Sequence, residues 1–246
     1  MAERKKLYEG KAKILYATED PAVLVTYFKD DATAFNAQKR GTIVNKGRIN
    51  NAVSTHLFQL LEAQGIATHW IDSPQGQADG REMWVKPVTI VPLEVVVRNL
   101  AAGSLCRQTG IALGTPLTPP LVEFYYKNDD LGDPLLTCDR IRAMDIASDD
   151  TVTQLQQMAQ RINQVLINFF NGCGITLVDF KLEFGTLADG TLVLADEISP
   201  DTCRLWNQNE TDESRRVMDK DRFRQDLGDV ESGYQQVLDR ILAHTS

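Results

Sequence analysis

The segment between residues 177 and 196 constrains the fold more than any other part of this sequence. It begins with Leu-Val-Asp-Phe-Lys-Leu-Glu-Phe, in which apolar and charged residues alternate with the period of two that is typical of a β-strand. Asp189-Gly190, a favoured hairpin turn, separates this run from a second apolar run. We therefore predict an antiparallel hairpin whose first strand presents Asp179, Lys181 and Glu183 on one face.

The predicted turn also brings two carboxylates together. If Asp189-Gly190 is a two-residue turn, Glu183 lies opposite Asp196, with Cβ atoms about 4.5–5.5 Å apart. Two like charges at this distance repel each other and need a cation or a shared proton between them. Mg²⁺ held by two carboxylates and substrate phosphates fits this requirement. The alternative is a longer loop with a shifted register, in which both carboxylates are solvated surface residues.

The rest of the chain predicts an α+β fold. Early strands are followed by helix-rich sequence, which favours two lobes, residues 1–92 and 93–246, with the boundary near Pro92. Strands are predicted over residues 13–17, 23–28, 68–71, 82–85 and 89–97, the last interrupted by Pro92, with an exposed loop over residues 72–80. Amphipathic helices are predicted over residues 49–64, 148–172 and 230–241.

Composition excludes several classes of protein. The chain of 246 residues has a formal net charge of −8, which favours neither nucleic acid nor an anionic membrane as a partner. No apolar stretch follows the first charged residues, so we expect no secretory leader, and no apolar run is near the length of a membrane span. The four cysteines are at least 30 residues apart without a C-x-x-C pair, so we expect reduced, mostly buried thiols in a cytoplasmic protein and no zinc site. A homo-oligomer is compatible with the sequence.

Three further segments contain candidate anion-binding residues. Residues 8–13 form a glycine turn with two lysines, and Arg98 precedes Ala-Ala-Gly-Ser, which lets backbone approach a ligand closely. Arg204 follows Asp196 closely. The alternatives are a solvated basic amino terminus, an ion pair between Arg98 and Glu94, and a surface salt bridge at Arg204. Two carboxylates with scattered cations and no activated nucleophile indicate metal-assisted phosphoryl transfer.

Seven motifs in this order resemble those of the SAICAR synthetase family, and the resemblance runs from Leu7 to about Leu242. They are Leu-Tyr-Glu-Gly-Lys-Ala-Lys (7–13), Pro-Leu-Glu-Val-Val-Val-Arg-Asn (92–99), Ala-Ala-Gly-Ser (101–104), Phe-Tyr-Tyr-Lys-Asn-Asp-Asp-Leu-Gly-Asp-Pro (124–134), Val-Asp-Phe-Lys-Leu-Glu-Phe-Gly (178–185), Asp-Glu-Ile-Ser-Pro-Asp (196–201) and Met-Asp-Lys-Asp-Arg-Phe (218–223).

The resemblance implies a reaction and a fold. ATP, L-aspartate and the carboxylate of carboxyaminoimidazole ribotide (CAIR) would give the succinocarboxamide, ADP and phosphate, through an acyl phosphate. An antiparallel-sheet lobe similar to the amino-terminal lobe of protein kinases would pack on a larger α+β lobe, with ATP between them.

The resemblance also implies roles for individual residues. Lys11, Ala12 and Lys13 would lie over the ATP phosphates, and Lys86 and Glu94 would border the nucleotide. Glu183 and Asp196 would hold Mg²⁺. Arg98, Ser104 and Arg204 would bind the CAIR phosphate, with Asp133 and Lys181 near its reacting end, and Lys220 and Arg224 are candidates for the aspartate pocket. Asp179 or Asp133 would accept the proton of the aspartate amine.

Two other functions would use a similar nucleotide site. A small-molecule kinase would use the same ATP site on a hydroxyl, but no catalytic Asp-x-x-x-x-Asn pair precedes the hairpin. A regulatory module that binds nucleotide without turnover would have lost a metal carboxylate, and both are present.

Overall fold

The computed structural model describes residues 4–34, 38–72 and 80–245, in which antiparallel strands and helices come in separate runs. The α+β prediction is therefore confirmed. The strands are β1 (Lys6–Glu9), β2 (Lys13–Ala17), β3 (Leu24–Phe28), β4 (Asp31–Ala34), β5 (Lys39–Thr42), β6 (Glu82–Val85), β7 (Thr89–Leu100), β8 (Pro116–Tyr126), β9 (Leu135–Leu136), β10 (Ile175–Thr186), β11 (Leu192–Ala195) and β12 (Cys203–Asn207). The helices are α1 (Lys46–Ala63), α2 (Ser104–Thr109), α3 (Cys138–Ala143), α4 (Asp149–Gly172), α5 (Glu213–Arg216), α6 (Asp221–Arg224) and α7 (Val230–Thr245), with a 3₁₀ turn at Asp129–Leu131.

The first sheet has the strand order β1-β2-β3-β6, and β4 and β5 form a separate pair. Strands β2 and β3 occupy the predicted segments and pair from Lys13 opposite Phe28 to Ala17 opposite Leu24. Helix α1 packs against this sheet, because its apolar stripe is buried at Ile49, Val53, Leu57 and Leu61. The helix begins earlier than predicted, at Lys46.

The second sheet is built around β10. Its order is β11-β10-β7-β8-β9, and β12 also pairs with β10. Strand β7 lies along one side of β10, while β11 and β12 lie along the other side at opposite ends. The predicted alternation is confirmed, since Phe180, Leu182 and Phe184 are buried in the core while Asp179, Lys181 and Glu183 face a cavity. Helix α4 contacts β10 and β7.

Two predictions about the chain's course need correction. Pro92 does not interrupt its strand, because β7 runs continuously from Thr89 to Leu100. The predicted strand over residues 68–71 forms only isolated bridges, from Thr68 to Leu194 and from Trp70 to Val85. Most of the predicted loop over residues 72–80 lies outside the described residues. The chain passes between the two sheets after Val85, and the division into lobes stays a prediction.

The four cysteines are free, but they are less buried than predicted. Cys173 and Cys203 are buried, Cys106 is half-buried and Cys138 is exposed. Among the described residues, no helix is long and apolar enough to span a membrane.

Candidate active site

A cavity of about 690 Å³ gathers nearly all of the predicted site residues. The turn between β1 and β2, the polar faces of β7 and β10, and the segment around α6 line it. The predicted residues among its lining are Lys11, Ala12, Lys13, Glu94, Arg98, Ser104, Asp133, Asp179, Lys181, Glu183, Asp196, Arg204, Lys220 and Arg224.

Lys86 is the predicted site residue that lies outside this lining. Its ammonium donates to the carbonyl oxygen of Thr68 at 3.2 Å, and its backbone N–H donates to the carbonyl oxygen of His69 at 2.7 Å. The structure therefore ties Lys86 to the backbone and does not bring it together with Lys11 and Lys13.

The β10–β11 hairpin differs from the predicted register by one residue. Glu183 lies opposite Ala195 rather than Asp196. The backbone N–H of Leu187 donates to the carbonyl oxygen of Thr191 at 2.9 Å, which leaves three residues in the loop where two were predicted. The predicted direct opposition of Glu183 and Asp196 is therefore wrong.

A different pair of carboxylates is opposed across the sheet. Glu94 on β7 lies opposite Glu183 on β10, and the Lys181 ammonium lies 2.9 Å from Glu94 Oε1 and 2.6 Å from Glu183 Oε1. The same ammonium lies 3.9 Å from Asp196 Oδ2, and Lys127 Nζ lies 2.6 Å from Glu183 Oε2. Because Glu183 is 3% exposed, the alternative of a solvated surface carboxylate is wrong there.

The charges in this cluster stabilise one another. Burial alone would lower the pKa of Lys181, but Glu183, Asp196 and Glu94 outweigh burial and raise it well above its usual value. Burial alone would raise the pKa of Asp196, but Lys13 and Lys181 hold that pKa below its usual range. Lys181 and Asp196 are therefore both charged at neutral pH.

The turn between β1 and β2 brings Lys13 into the same cluster. The Lys13 ammonium contacts Asp196 and lies 2.8 Å from Glu197 Oε1. Burial opposes its charge, but Asp196 and Glu197 outweigh burial and raise the pKa of Lys13. Lys11 is exposed and pairs with Asp129 at 2.7 Å. The alternative of a merely solvated basic terminus is thus wrong for Lys13.

Three neighbouring strands place an Arg–Asp–Arg row across the sheet. Asp179 on β10 pairs with Arg98 on β7 and with Arg204 on β12. Asp179 Oδ2 accepts from Arg98 Nη1 at 2.6 Å and from Arg204 Nη1 at 2.9 Å. The other carboxylate that binds Arg98 is Glu123, at 2.7 Å. The alternative in which Arg98 pairs with Glu94 is therefore wrong.

Lys220 differs from the other cations that line the cavity. Each of the others donates a hydrogen bond to a carboxylate; they are Lys11, Lys13, Arg98, Lys127, Lys181, Arg204 and Arg224. Within the described part of the chain, the one carboxylate oxygen within 4 Å of the Lys220 ammonium is Asp201 Oδ2, at 3.7 Å. That separation exceeds hydrogen-bond length, so the donors of Lys220 are available to a ligand.

The two predicted proton acceptors differ in how their oxygens are used. Asp179 accepts three hydrogen bonds from the guanidinium groups of Arg98 and Arg204. Asp133 is half-buried and accepts from the backbone N–H of Asn128 at 2.9 Å. Asp133 therefore has more capacity to take a proton from a ligand.

Six residues around the predicted ones were not themselves predicted. Glu123, Lys127, Glu197 and Asp201 contact predicted residues directly. Lys46 and Tyr234 contact Asp201. Lys127, Glu197 and Asp201 lie inside the family motifs, so a signal for them was present. Lys46 stands alone before an amphipathic helix, and Tyr234 belongs to the apolar face of α7, so the sequence holds no local signal for either.

Comparison with known proteins identifies the family. The sequence model of SAICAR synthetase matches residues 6–241. A phosphoribosylaminoimidazole-succinocarboxamide synthase of Acaryochloris marina is 66% identical over 237 residues, covering 96% of this chain and 95% of that protein. The crystal structure of the synthase from Ehrlichia chaffeensis has a TM-score of 0.90 at 44% identity, covering 97% of this chain and 99% of that one. A SAICAR synthetase (Type-2) in complex with ADP has a TM-score of 0.89 at 43% identity, covering 96% and 97%. On sequence and fold alike, the chain belongs to the SAICAR synthetase family.

Proposed function

We propose that the residues of this cavity carry out the ligase reaction of the family, in which ATP drives the joining of L-aspartate to the carboxylate of CAIR in purine biosynthesis. The observation that supports the proposal most is the order of charges along one face of β10. The Arg–Asp–Arg row is centred on Asp179. The lysine–carboxylate cluster, in which Lys127 and Lys181 contact Glu183, is centred about 13 Å further along the extended strand. Two phosphate-bearing substrates can therefore bind side by side.

The ATP phosphates are assigned to the lysine–carboxylate cluster. Lys11, Ala12 and Lys13 line the cavity from the turn between β1 and β2, and Lys181 and Lys127 approach from the second sheet. These four ammonium groups pair with carboxylates in the structure, so they can offset the charge of a triphosphate when a cation neutralises those carboxylates. Glu94, which contacts Lys181, is assigned to the border of the nucleotide. Lys86 lies outside the cavity lining and could reach only a part of the nucleotide that extends beyond that lining.

The donor set of Glu183 and Asp196 fits Mg²⁺. Both carboxylates approach the ammonium of Lys181, and no group of three His, Cys, Asp or Glu side chains within the described ranges could hold a metal. Two carboxylates completed by phosphate oxygens and water are typical of Mg²⁺ rather than of a metal in an all-protein cage. When bound, the ion offsets phosphate charge, and Lys13 and Lys181 then have donors available for the phosphates.

The CAIR phosphate is assigned to Arg98, Ser104 and Arg204. Arg98 Nη2 donates to Ser104 Oγ at 3.0 Å, and all three side chains line the cavity. Guanidinium groups bind phosphate through two parallel hydrogen bonds. Asp179 lies between the two arginines and keeps both pointing at the same position.

Gly103 makes room for this arrangement, and replacing it tests the assignment. A Cβ at Gly103 would lie 2.5 Å from Arg204 Nη2. We therefore expect Gly103→Ala to displace that guanidinium and to weaken CAIR binding about tenfold, the usual cost of one charge-assisted hydrogen bond. Calorimetric titration with CAIR measures the effect. Gly110→Ala is the matched control, because Gly110 also has a positive φ but has open space around it. Equal losses in both variants would contradict the role of Arg204.

The carboxylates of L-aspartate are assigned to Lys220 and Arg224. Lys220 has unused donors, and Arg224 lines the cavity while its Nη1 donates to Asp221 Oδ1 at 2.6 Å. Two cations on one segment match the two negative charges of the amino acid.

The chemistry then needs few groups from the protein. The CAIR carboxylate is already anionic at pH 7, so one of its oxygens attacks the γ-phosphorus and ADP leaves, while Lys13 and Lys181 reduce the repulsion between the two anions. The aspartate amine attacks the resulting acyl phosphate, and phosphate leaves with an oxygen from the CAIR carboxylate. Asp133 accepts the amine proton, because the oxygens of Asp179 are held by two guanidinium groups.

An isotope experiment tests the acyl phosphate. With CAIR labelled by ¹⁸O at both carboxylate oxygens, we expect each turnover to place one labelled oxygen in the released phosphate, measured by mass spectrometry. The reason is that the oxygen joining the carboxylate to phosphorus leaves with the phosphate. Unlabelled phosphate would rule out this route. ADP release that does not depend on aspartate would favour the kinase alternative instead.

We also infer a cytoplasmic location. The four cysteines are free, and Cys138 is an exposed thiol, which is usual for proteins of a reducing compartment.

A further inference from the structure

Asp201 lies at the centre of a buried network that reaches the cavity through Lys220. Lys46 at the start of α1 places its ammonium 2.8 Å from Asp201 Oδ2, and the Tyr234 hydroxyl on α7 donates to Asp201 Oδ1 at 2.6 Å. Lys46 is 1% exposed and Tyr234 is fully buried. Each oxygen of Asp201 therefore has a donor that does not face the cavity.

The backbone ties Lys220 to the same loop. The Lys220 N–H donates to the carbonyl oxygen of Pro200 at 3.1 Å, next to Asp201. The Arg224 N–H in turn donates to the carbonyl oxygen of Lys220 at 3.0 Å. The positions of Lys220 and Arg224 are thus fixed relative to Asp201.

Stability alone is a poor reason for such a network. A buried Lys–Asp pair loses much of its attraction to the cost of removing both charges from water. The network instead controls the orientation of one carboxylate. Lys46 offsets the charge of Asp201, and Tyr234 fixes the rotation of the Asp201 carboxylate. The Lys220 ammonium therefore stays 3.7 Å from Asp201 Oδ2 without donating a hydrogen bond to it. If either donor were lost, Asp201 would be free to turn and take a direct hydrogen bond from Lys220.

We propose that Lys46 and Tyr234 are positioning residues that hold the Asp201 carboxylate in place, so that the Lys220 ammonium keeps its donors for a carboxylate of the amino-acid substrate. This inference rests on the proposed function, in which Lys220 binds aspartate. In this proposal, helices α1 and α7 stabilise the aspartate site although their residues do not line the cavity.

Tyr234→Phe tests the inference with little change in volume. We expect the KM for aspartate to rise about tenfold, as for the loss of one hydrogen bond to a charged group, while the KM values for ATP and CAIR change less than about twofold. Tyr126→Phe is the matched control, because Tyr126 packs against the core away from the cavity. A merely structural role would change all three KM values together, or only the melting temperature, and either result would overturn the inference.

Lys220→Met separates this inference from the proposal on which it rests. If Lys220→Met leaves the KM for aspartate unchanged, the aspartate assignment fails and the inference fails with it. If Lys220→Met raises that KM but Tyr234→Phe does not, only the positioning role is overturned. In the double variant we expect the KM for aspartate to equal that of Lys220→Met alone, because Tyr234 acts through Lys220. Additive effects in the double variant would overturn the inference.

Discussion

Asp196→Asn is expected to lower kcat about a thousandfold, the upper range for loss of one electrostatic contact to a developing charge. The amide cannot supply the negative charge that holds Mg²⁺, and it no longer offsets the ammonium charges of Lys13 and Lys181. Steady-state ADP release at saturating substrates measures kcat. A Mg²⁺ titration of the same variant should shift to higher concentrations.

The fold should survive this substitution at a cost in stability. Asp196 has φ +63°, a region that Asn tolerates better than most residues, and Lys13 keeps its contact with Glu197. We expect the free energy of unfolding to fall by about 2 kcal/mol, less than for a fully buried pair. Asp145→Asn is the matched control, since Asp145 has φ +53° and is exposed. Near-normal turnover of Asp196→Asn would contradict the metal role.

The hairpin shows how far a local pattern predicts this site. Alternation along β10 correctly placed Asp179, Lys181 and Glu183 on the cavity face, because the side-chain period of a strand depends only on the strand itself. The register depended on loop length, and the loop has three residues with Gly190 at φ +85°. One extra loop residue shifts every pair across the hairpin. The carboxylate opposite Glu183 is accordingly Glu94, from a strand nearly ninety positions away in the sequence.

The ion-pair and hydrogen-bond partners of the charged residues could not be predicted either, because they depend on how strands and helices pack together. Arg98, Asp179 and Arg204 belong to three strands that are far apart in the chain, and their row exists only because β10 lies between β7 and β12. Lys46 and Tyr234 meet Asp201 through the packing of α1 against α7. Local periodicity predicts that a helix has a buried face, but not which charge on another element a buried side chain will meet.

Arg98→Lys should weaken CAIR binding about thirtyfold, since losing the paired hydrogen bonds of a guanidinium costs about 2 kcal/mol. Arg98 is 3% exposed and its fork spans Asp179, Glu123 and Ser104. Lysine keeps the charge but has one nitrogen, so it cannot present two parallel N–H donors to a phosphate. Calorimetric titration with CAIR and, separately, with ATP measures the two affinities, and the ATP affinity should change less than about twofold.

The comparison of the two ligands makes the result decisive for the assignment. The ATP phosphates are assigned to the other end of the β10 face, near Glu183, so a loss confined to CAIR places the ribotide phosphate at the arginine row. A loss of ATP affinity with CAIR affinity intact would mean that the two assignments are exchanged. Arg161→Lys on the exposed face of α4 is the matched control for the general effect of the substitution. Because lysine leaves Asp179 and Glu123 with fewer donors, the melting temperature should fall as well, and titrations below that temperature keep the loss of binding separate from unfolding.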